Sequence, residues 1–383
     1  MAEKNIVIVN QAVNYLTIGL CNSFNNHGYR VTLITGSIHT QGEYLHSNIS
    51  VKYIAKWKEK PAFSKLRSYL WGTIQIWWLL ISKFRNNDVL FVSIPPNAYL
   101  LSIILPNRCS MLIWDVYPDS FKILGMDEKH ILYRIWSYFN KIAFKKSYKI
   151  FTIGDRMAEL LGQYVNSEKL LITPIWSIFQ KNERVAKNEN YFVHKHNLMD
   201  KFVVQYSGNI GMTHNVELLV EIAKLLKDES DILFLIIGRG PRADSLIKYV
   251  EEQRLNNCLF LPFQSDTDFP YSLSSADLGV VILDGVTSKG SIPSKTYNLM
   301  SFGIPILSIT SKESELHDYS IRFNYGKSFD GTELRKAAEF IKEIKMDKDI
   351  YNQMSKNSLE AAKNFRRNNA DKIIELYMND NNL

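Results

Sequence analysis

Short apolar segments alternate with longer helical stretches along nearly the whole chain, and this constrains the fold more than any other feature. The apolar segments lie at 6–9, 30–34, 51–54, 89–93, 111–114, 149–152 and 170–172, then at 202–206, 232–237, 258–260, 278–282 and 306–309. Strand, helix, strand in steady succession predicts parallel sheets covered by helices. The first series opens with 6–9, a helical pattern from Leu16 through Phe24 to the stop His27-Gly28, and the return 30–34. The segment 181–200 is rich in Lys, Asn and His and lacks a sustained apolar period, which predicts a linker. Four parts are expected: an α/β domain at 1–180, the linker at 181–200, a second α/β domain at 201–365, and a terminal helix at 366–383 that crosses back to the first domain.

The 383 residues are 46% hydrophobic and 12% aromatic, enough for two packed cores. Three scattered cysteines, Cys21, Cys109 and Cys258, without a C-x-x-C pair, predict reduced core thiols. The start, Met1-Ala-Glu-Lys-Asn5, has no signal-peptide pattern, so a cytoplasmic protein is expected. The longest apolar run, 69–84, is shorter than the roughly 18 to 20 residues of a membrane span and is broken by Gly72, Thr73 and Gln75. The net charge of +7 suits anionic partners, but no helix-turn-helix, zinc spacing or RNP-like motif accompanies it, and nucleic acid is not an expected partner.

Three expected strand ends of the second half carry glycines: Ser207-Gly-Asn-Ile-Gly211, Gly238-Arg-Gly-Pro241 and Asp284-Gly-Val-Thr-Ser-Lys-Gly-Ser291. Ligands of parallel sheets lie beyond the carboxyl ends of the strands, so this edge predicts a phosphate-bearing ligand. After the third loop, Pro293 suits a first helical turn, Ser291 or Ser294 the cap, and Gly303 with Pro305 the stop of a helix over 293–302. Lys289 and Lys295 would add charge. Gly285 and Gly290 have P-loop spacing, but Ser291 stands where that loop needs its lysine; with no G-x-G-x-x-G after the first strand, P-loop and nicotinamide or flavin chemistry are both disfavoured.

Taken together, Tyr206-Ser-Gly-Asn-Ile-Gly211, Ile237-Gly-Arg-Gly-Pro241, Ala276-Asp277 and Pro293-Ser-Lys295 to Pro305 resemble the retaining glycosyltransferases of family 4. In the first half Trp114-Asp-Val-Tyr-Pro-Asp119 and Thr173-Pro-Ile-Trp176 look like the "DLYPE" and "PNW" segments of its capsule, O-antigen and colanic-acid-type members. The resemblance implies the GT-B fold, with two Rossmann-like doubly wound domains facing a central cleft. It implies transfer of a sugar from a nucleoside diphosphate sugar to a glycan hydroxyl, with retention, without metal or other cofactor. Donor-binding residues implied by it are Gly208, Asn209, Gly211, His214, Gly238, Arg239, Gly240, Phe263, Lys289, Gly290, Ser291, Ser294 and Asn298, with Lys295 and Asp115 as the catalytic pair. The chain departs from the family at Asn209 and His214, where Arg and Lys are usual, and at Gly290 and Asn298, where two Glu are usual. Those departures motivate an alternative, a non-catalytic nucleotide-sugar-binding partner of the same fold.

Asp115 follows an apolar strand; its two readings are acceptor orientation or proton acceptance, and a turn or cap aspartate. Asp119 reads as a helix cap. Asp266-Thr-Asp268 is a D-x-D, but Asp268 before Phe269-Pro270 reads as an N-cap rather than a metal ligand. Two stretches combine aromatic and basic residues: Lys56 to Arg67 followed by Trp71, Trp77 and Trp78, and 130–149 with Tyr133, Trp136, Tyr138, Phe139, Lys141, Lys145 and Lys146. The plain reading is two core helices with basic outer faces. The sharper one is a peripheral face for the inner leaflet of the cell membrane, which suits a polyprenyl-linked acceptor.

Overall fold

A computed structural model of the chain describes residues 4–58, 62–211, 214–283, 285 and 288–379. The chain forms two compact units, Met1–Ile178 with Arg367–Leu383, and Phe179–Arg366. Each is organised on one parallel sheet.

The first unit contains β1 (Lys4–Val9), α1 (Tyr15–Asn26), β2 (Tyr29–Thr35), β3 (Ser50–Tyr53), α2 (Ala62–Lys83), β4 (Asp88–Val92), β5 (Cys109–Ile113), α3 (Ile131–Lys146), β6 (Ile150–Thr152), α4 (Asp155–Leu161) and β7 (Leu170–Ile172). The strand order is β3-β2-β1-β4-β5-β6-β7, all parallel. The order reverses beside β1. The turn after β1 uses Asn14 as a cap, its side chain accepting from the amides of Leu16 and Thr17, and Gln11, fully buried, donates to the carbonyls of Ala55 and Ser68. Side chains thus do the work that glycines do in dinucleotide folds.

Right-handed crossovers place α1, which runs from β1 to β2, on one face of this sheet, and α2 and α3, which run the other way along the strand order, on the opposite face. The short 3-10 turn Ala98–Ile103 packs against both α2 and α3. Asp119, expected as a cap, is instead a buried carboxylate that accepts from Tyr133 and Tyr164 hydroxyls at 2.7 and 2.6 Å and pairs with Lys122 at 3.1 Å. A buried charge is tolerated when it is paired and hydrogen-bonded, and this one ties α3 to the chain after β5.

The second unit begins before its sheet. The segment 181–200, expected as a linker, folds onto this unit as a 3-10 turn and α5 (Tyr191–Lys195), which packs against the helix Phe269–Ser274. Polar bonds to carbonyls fix it, which an apolar-period reading cannot see: Arg184 donates to the carbonyls of Ala276 and Gly303 and to the Tyr351 hydroxyl, and Lys187 pairs with Asp277 at 2.6 Å. The unit continues with β8 (Phe202–Asn209), α6 (Glu217–Leu225), β9 (Ile232–Arg239), α7 (Ala243–Glu252), β10 (Cys258–Leu261), α8 (Phe269–Ser274), β11 (Leu278–Ile282), α9 (Lys295–Ser301), β12 (Ile306–Ile309), α10 (Glu315–Phe323), β13 (Gly326–Phe329), α11 (Leu334–Met346) and α12 (Lys348–Ala362). Its strand order, β10-β9-β8-β11-β12-β13, repeats the reversal, now between β8 and β11. Strand β13 carries no apolar run: Gly-Lys-Ser-Phe on a half-buried edge gives no sequence signal.

The core of the second unit joins the inner sides of β8, β9, β11 and β12 to α6 and α11. Asp268 occupies the N-cap position of α8 but makes no side-chain cap bond; its carboxylate accepts from the hydroxyls of Tyr191 and Ser265. Last, α13 (Asn369–Met378) packs on α1 in the first unit, where Arg367 donates to the Gly19 carbonyl at 2.6 Å and the Ser23 hydroxyl at 2.8 Å and pairs with Glu43 at 3.1 Å.

Candidate functional site

The reversal of strand order beside β8 sets where a ligand of the second unit belongs, at the carboxyl ends of β8, β9 and β11. Alternation along β8 puts Tyr206 and Gly208 on one face. Lys295, the first residue of α9, lays its ammonium nitrogen 3.9 Å from the centroid of the Tyr206 ring. A side chain at Gly208 would collide with that nitrogen, and the φ of +154° at Gly208 is itself unfavourable for other residues. The two separate stretches singled out in the sequence therefore meet.

The Lys295 stem is partly open, but Nζ is out of contact with solvent and has no hydrogen-bond partner among the described residues. Burial lowers its pKa to about 7. Burial, and then the nearby Lys295 charge, lower His214 to about 4, so the imidazole is neutral at pH 7. An amine enclosed without an acceptor is a costly arrangement that an incoming anion relieves.

The remaining sequence candidates separate into groups. Arg239 and Phe263, at the ends of β9 and after β10, are exposed and form a cation-π pair at 5.7 Å. Gly238 and Gly240 are explained by packing, since a Cβ on either would strike the backbone of Gly208 or Ile210. Lys289 is turned to an ion pair with Glu313 at 3.1 Å, which partly neutralises its charge. Gly290 ends the 3-10 turn Ser288–Gly290, Ser291 is half-buried beside it, and Asn298 is buried within α9. Asp284, Val286 and Thr287 of the expected loop lie outside the described residues, as do Met212 and Thr213 between Gly211 and His214.

Helix α9 is shorter than the expected 293–302, and Pro293 precedes it; Ser294 holds the cap position without a side-chain bond. Asp277, part of the sequence resemblance, sits at the amino end of β11 and binds Lys187 and the Val203 amide, a structural role at the wrong end of the sheet for ligand. A cavity of about 300 Å³ opens at the ends of β11, β12 and β13, lined by Asn215, Thr310, Ser311 and Asp330 among others. Ser311 reaches the 288–290 turn through a 2.8 Å bond to Ser288, and the Thr310 hydroxyl is buried without a partner. Among the described residues no group of three or more His, Cys, Asp or Glu is arranged to hold a metal ion.

In the first unit Asp115 lies two residues beyond β5, at the carboxyl end of its sheet. Its carboxylate makes no hydrogen bond or ion pair among the described residues, which removes the cap reading, and burial raises its pKa to about 6. Sequence reasoning did not single out Tyr206 or Glu313 as site residues. The two-residue spacing of Tyr206 and Gly208 within a strand was the one usable signal.

Residues 187–361 match the family of glycosyl transferases group 1. The chain is 24% identical over 62% of its length to "Probable glycosyltransferase WbjE" of Pseudomonas aeruginosa, and 30% identical over 38% of its length to WcaI of Escherichia coli (strain K12), named as a glycosyl transferase of colanic acid biosynthesis. It spans 61% and 36% of these two relatives' own lengths. Among solved structures, sucrose-phosphate synthase from Thermosynechococcus elongatus superposes with a TM-score of 0.74 at 13% identity, covering 98% of both chains. Anabaena HepE, solved with UDP and glucose, gives 0.70 at 13% identity over 98% of this chain and 99% of its own. These likenesses establish the GT-B type of fold.

Proposed function

We propose that the chain is a retaining, metal-independent glycosyltransferase of surface polysaccharide assembly, moving a sugar from a nucleoside diphosphate sugar to a hydroxyl of a lipid-linked glycan. The observation that carries this reading is the enclosed Lys295 ammonium against Gly208 and Tyr206 at the strand-order reversal, without a hydrogen-bond partner among the described residues. As the bond from the sugar anomeric carbon to the phosphate oxygen breaks, charge accumulates on the leaving diphosphate. A cation held there beforehand stabilises that charge without reorganisation. The acceptor oxygen forms the new bond to the same carbon and gives up its proton, which Asp115 is suited to take because its raised pKa lies near neutrality. Retention rests on the resemblance of the 293–305 segment to the retaining family.

Thermal shifts with UDP, GDP, CMP and TDP test the donor, since a ligand of the folded state raises stability by mass action. One nucleoside diphosphate should stabilise the protein, and the matching sugar nucleotide should turn over. Stabilisation without turnover across a sugar-nucleotide library would favour the second reading, a binding partner that has lost catalysis, for which Gly290 and Asn298 at the usual glutamate positions speak. No stabilisation by any nucleotide would reject both.

The acceptor's lipid is proposed from the outer face of α2 and α3. On α2 the stripe Phe63, Leu66, Leu70, Trp71, Ile74 and Trp78 is exposed, with Trp71 at 55% and Trp78 at 61%, while Ser68, Gly72, Ile76 and Leu80 are buried. On α3 Ile131, Leu132, Ile135 and Tyr138 are exposed likewise, and Ile104 at 67% lies after the turn that contacts both helices. The outer faces thus combine apolar side chains with exposed cations, among them Arg67 and Arg134, and neither helix holds an acidic residue. Lys60, from the basic stretch before α2, lies outside the described residues. No helix among the described residues is long and apolar enough to cross a membrane, so this surface would rest on an anionic leaflet.

Vesicles rich in phosphatidylglycerol should therefore sediment the protein at low salt and release part of it as salt rises. Trp71→Ser with Trp78→Ser should weaken sedimentation at least roughly tenfold without lowering Tm, because exposed rings contribute little to the core. Full recovery of the wild type in the supernatant at low salt would remove the membrane partner.

A further inference from the structure

The Asp115 charge is felt by the hydroxyls of Tyr69, on the inner edge of α2, and Tyr117, whose pKa values are both raised above the ordinary tyrosine range, chiefly by burial. Tyr69 stacks on Trp57, with centroids 6.5 Å apart and planes 17° apart. Tyr117 stacks on Trp136 at 6.1 Å and packs with Phe121 at 5.1 Å. All of these side chains are half-buried, so each keeps surface open to a ligand. Among the described residues the Asp115 carboxylate, whose charge reaches both hydroxyls, has no hydrogen-bond donor.

We propose that Asp115 and the walls formed by Trp57 with Tyr69 and by Tyr117 with Trp136 make a subsite for one uncharged pyranose ring of the acceptor. The proposal rests on the transferase reading and deepens it by naming what the acceptor presents. A pyranose has an apolar face of C–H groups, which an aromatic ring covers well, and a rim of hydroxyls, which are the donors an unpartnered carboxylate lacks. An anionic sugar would face repulsion from Asp115, and Lys65 is turned over the Trp57 ring at 5.7 Å. A purely structural aromatic cluster would not leave a half-buried carboxylate without a donor, because that arrangement costs stability and returns nothing. The position also serves delivery. Tyr69 stands on the same helix whose outer stripe carries Trp71 and Trp78, so the ring that receives the sugar is fixed to the element proposed to touch the bilayer.

The test uses the full chain without nucleotide and saturation-transfer NMR with methyl glycosides of glucose, galactose, mannose and N-acetylglucosamine, with methyl glucuronide as the charged control. At least one neutral glycoside should receive saturation through its ring protons, and the glucuronide none. Tyr69→Ala and Trp57→Leu should each weaken that binding about tenfold, Tyr69→Phe should keep it, and thermal shift by the active nucleoside diphosphate should be unchanged in all three, which controls for folding of the second unit. Absence of binding by every neutral glycoside, equal binding of glucuronide, or full binding by Tyr69→Ala would overturn the subsite. Nucleotide stabilisation with no glycoside binding would remove this inference alone, whereas glycoside binding with no nucleotide response would remove the transferase reading and leave a saccharide site.

Discussion

Lys295→Met is expected to lower sugar transfer by about two orders of magnitude while making the free protein more stable at pH 7. Both effects come from one amine. In the free protein Nζ is enclosed above the Tyr206 ring with no acceptor among the described residues, and burial lowers its pKa to about 7. Unfolding returns it to water, where a lysine holds its proton to about pH 10.4. Between those values the unfolded chain binds the extra proton, so wild-type stability rises with pH through that window, and the burden is fully present below it. Methionine keeps the apolar stem and carries no such burden. Its Tm should exceed that of the wild type at pH 7, and the gap should close as pH approaches 10.

Donor binding should show the opposite sign. A diphosphate beside Nζ raises the amine pKa, so binding takes up a proton, and the preference for diphosphate over nucleoside should fall as pH rises above about 7, at most roughly tenfold per unit. Calorimetry in buffers of different ionisation heat reads the proton directly. In Lys295→Met the preference should be weak and flat with pH. Equal loss of nucleoside and diphosphate affinity would indicate damage to the base site instead, and retained diphosphate affinity would move the phosphate to Arg239, because Lys289 is already engaged by Glu313.

The strands that faced a core on both sides were legible before the structure, because a parallel strand covered by helices is apolar throughout, as 278–282 and 306–309 are. β13 was not, since an edge strand needs no apolar run. Nor was the fold of 181–200, where Arg184 bonds to carbonyls, and Lys187 to the Asp277 carboxylate, far along the chain. Candidate residues divided in the same way. The meeting of Gly208 with Lys295 followed from strand-end logic, but the sequence could not show that Lys289 turns to Glu313, that Gly238 and Gly240 serve backbone packing, or that Asp277 sits at the far end of its strand. Helix α2 was the largest surprise, because its period identifies an apolar face without saying whether that face meets the sheet or solvent. Gly72 and Ser68 on the buried side, and three tryptophans away from it, give the direction only once the packing is known.

Asp115→Asn should cut transfer about a hundredfold and leave both the fold and nucleotide binding intact. Among the described residues the carboxylate makes no bond that an amide would break, and as the ionised form is disfavoured by burial, removing the charge relieves a cost at neutral pH. The sign follows from the raised pKa. Between about pH 4 and 6 the folded protein holds a proton that the unfolded chain has released, so this group's contribution to stability falls as pH rises through that window and stays low above it. The Asn variant should therefore be as stable as the wild type below pH 4 and more stable at pH 7. Activity runs the other way. If the ionised carboxylate takes the acceptor proton, transfer by the wild type should fall about tenfold per unit below pH 6, and the variant should lose that limb and remain low throughout. A variant with wild-type turnover would exclude proton acceptance, and one that kept the limb would assign the titration to the substrate. A raised acceptor KM at unchanged kcat would leave Asp115 a binding residue of the sugar subsite, whereas a fall in kcat with unchanged KM places it on the proton.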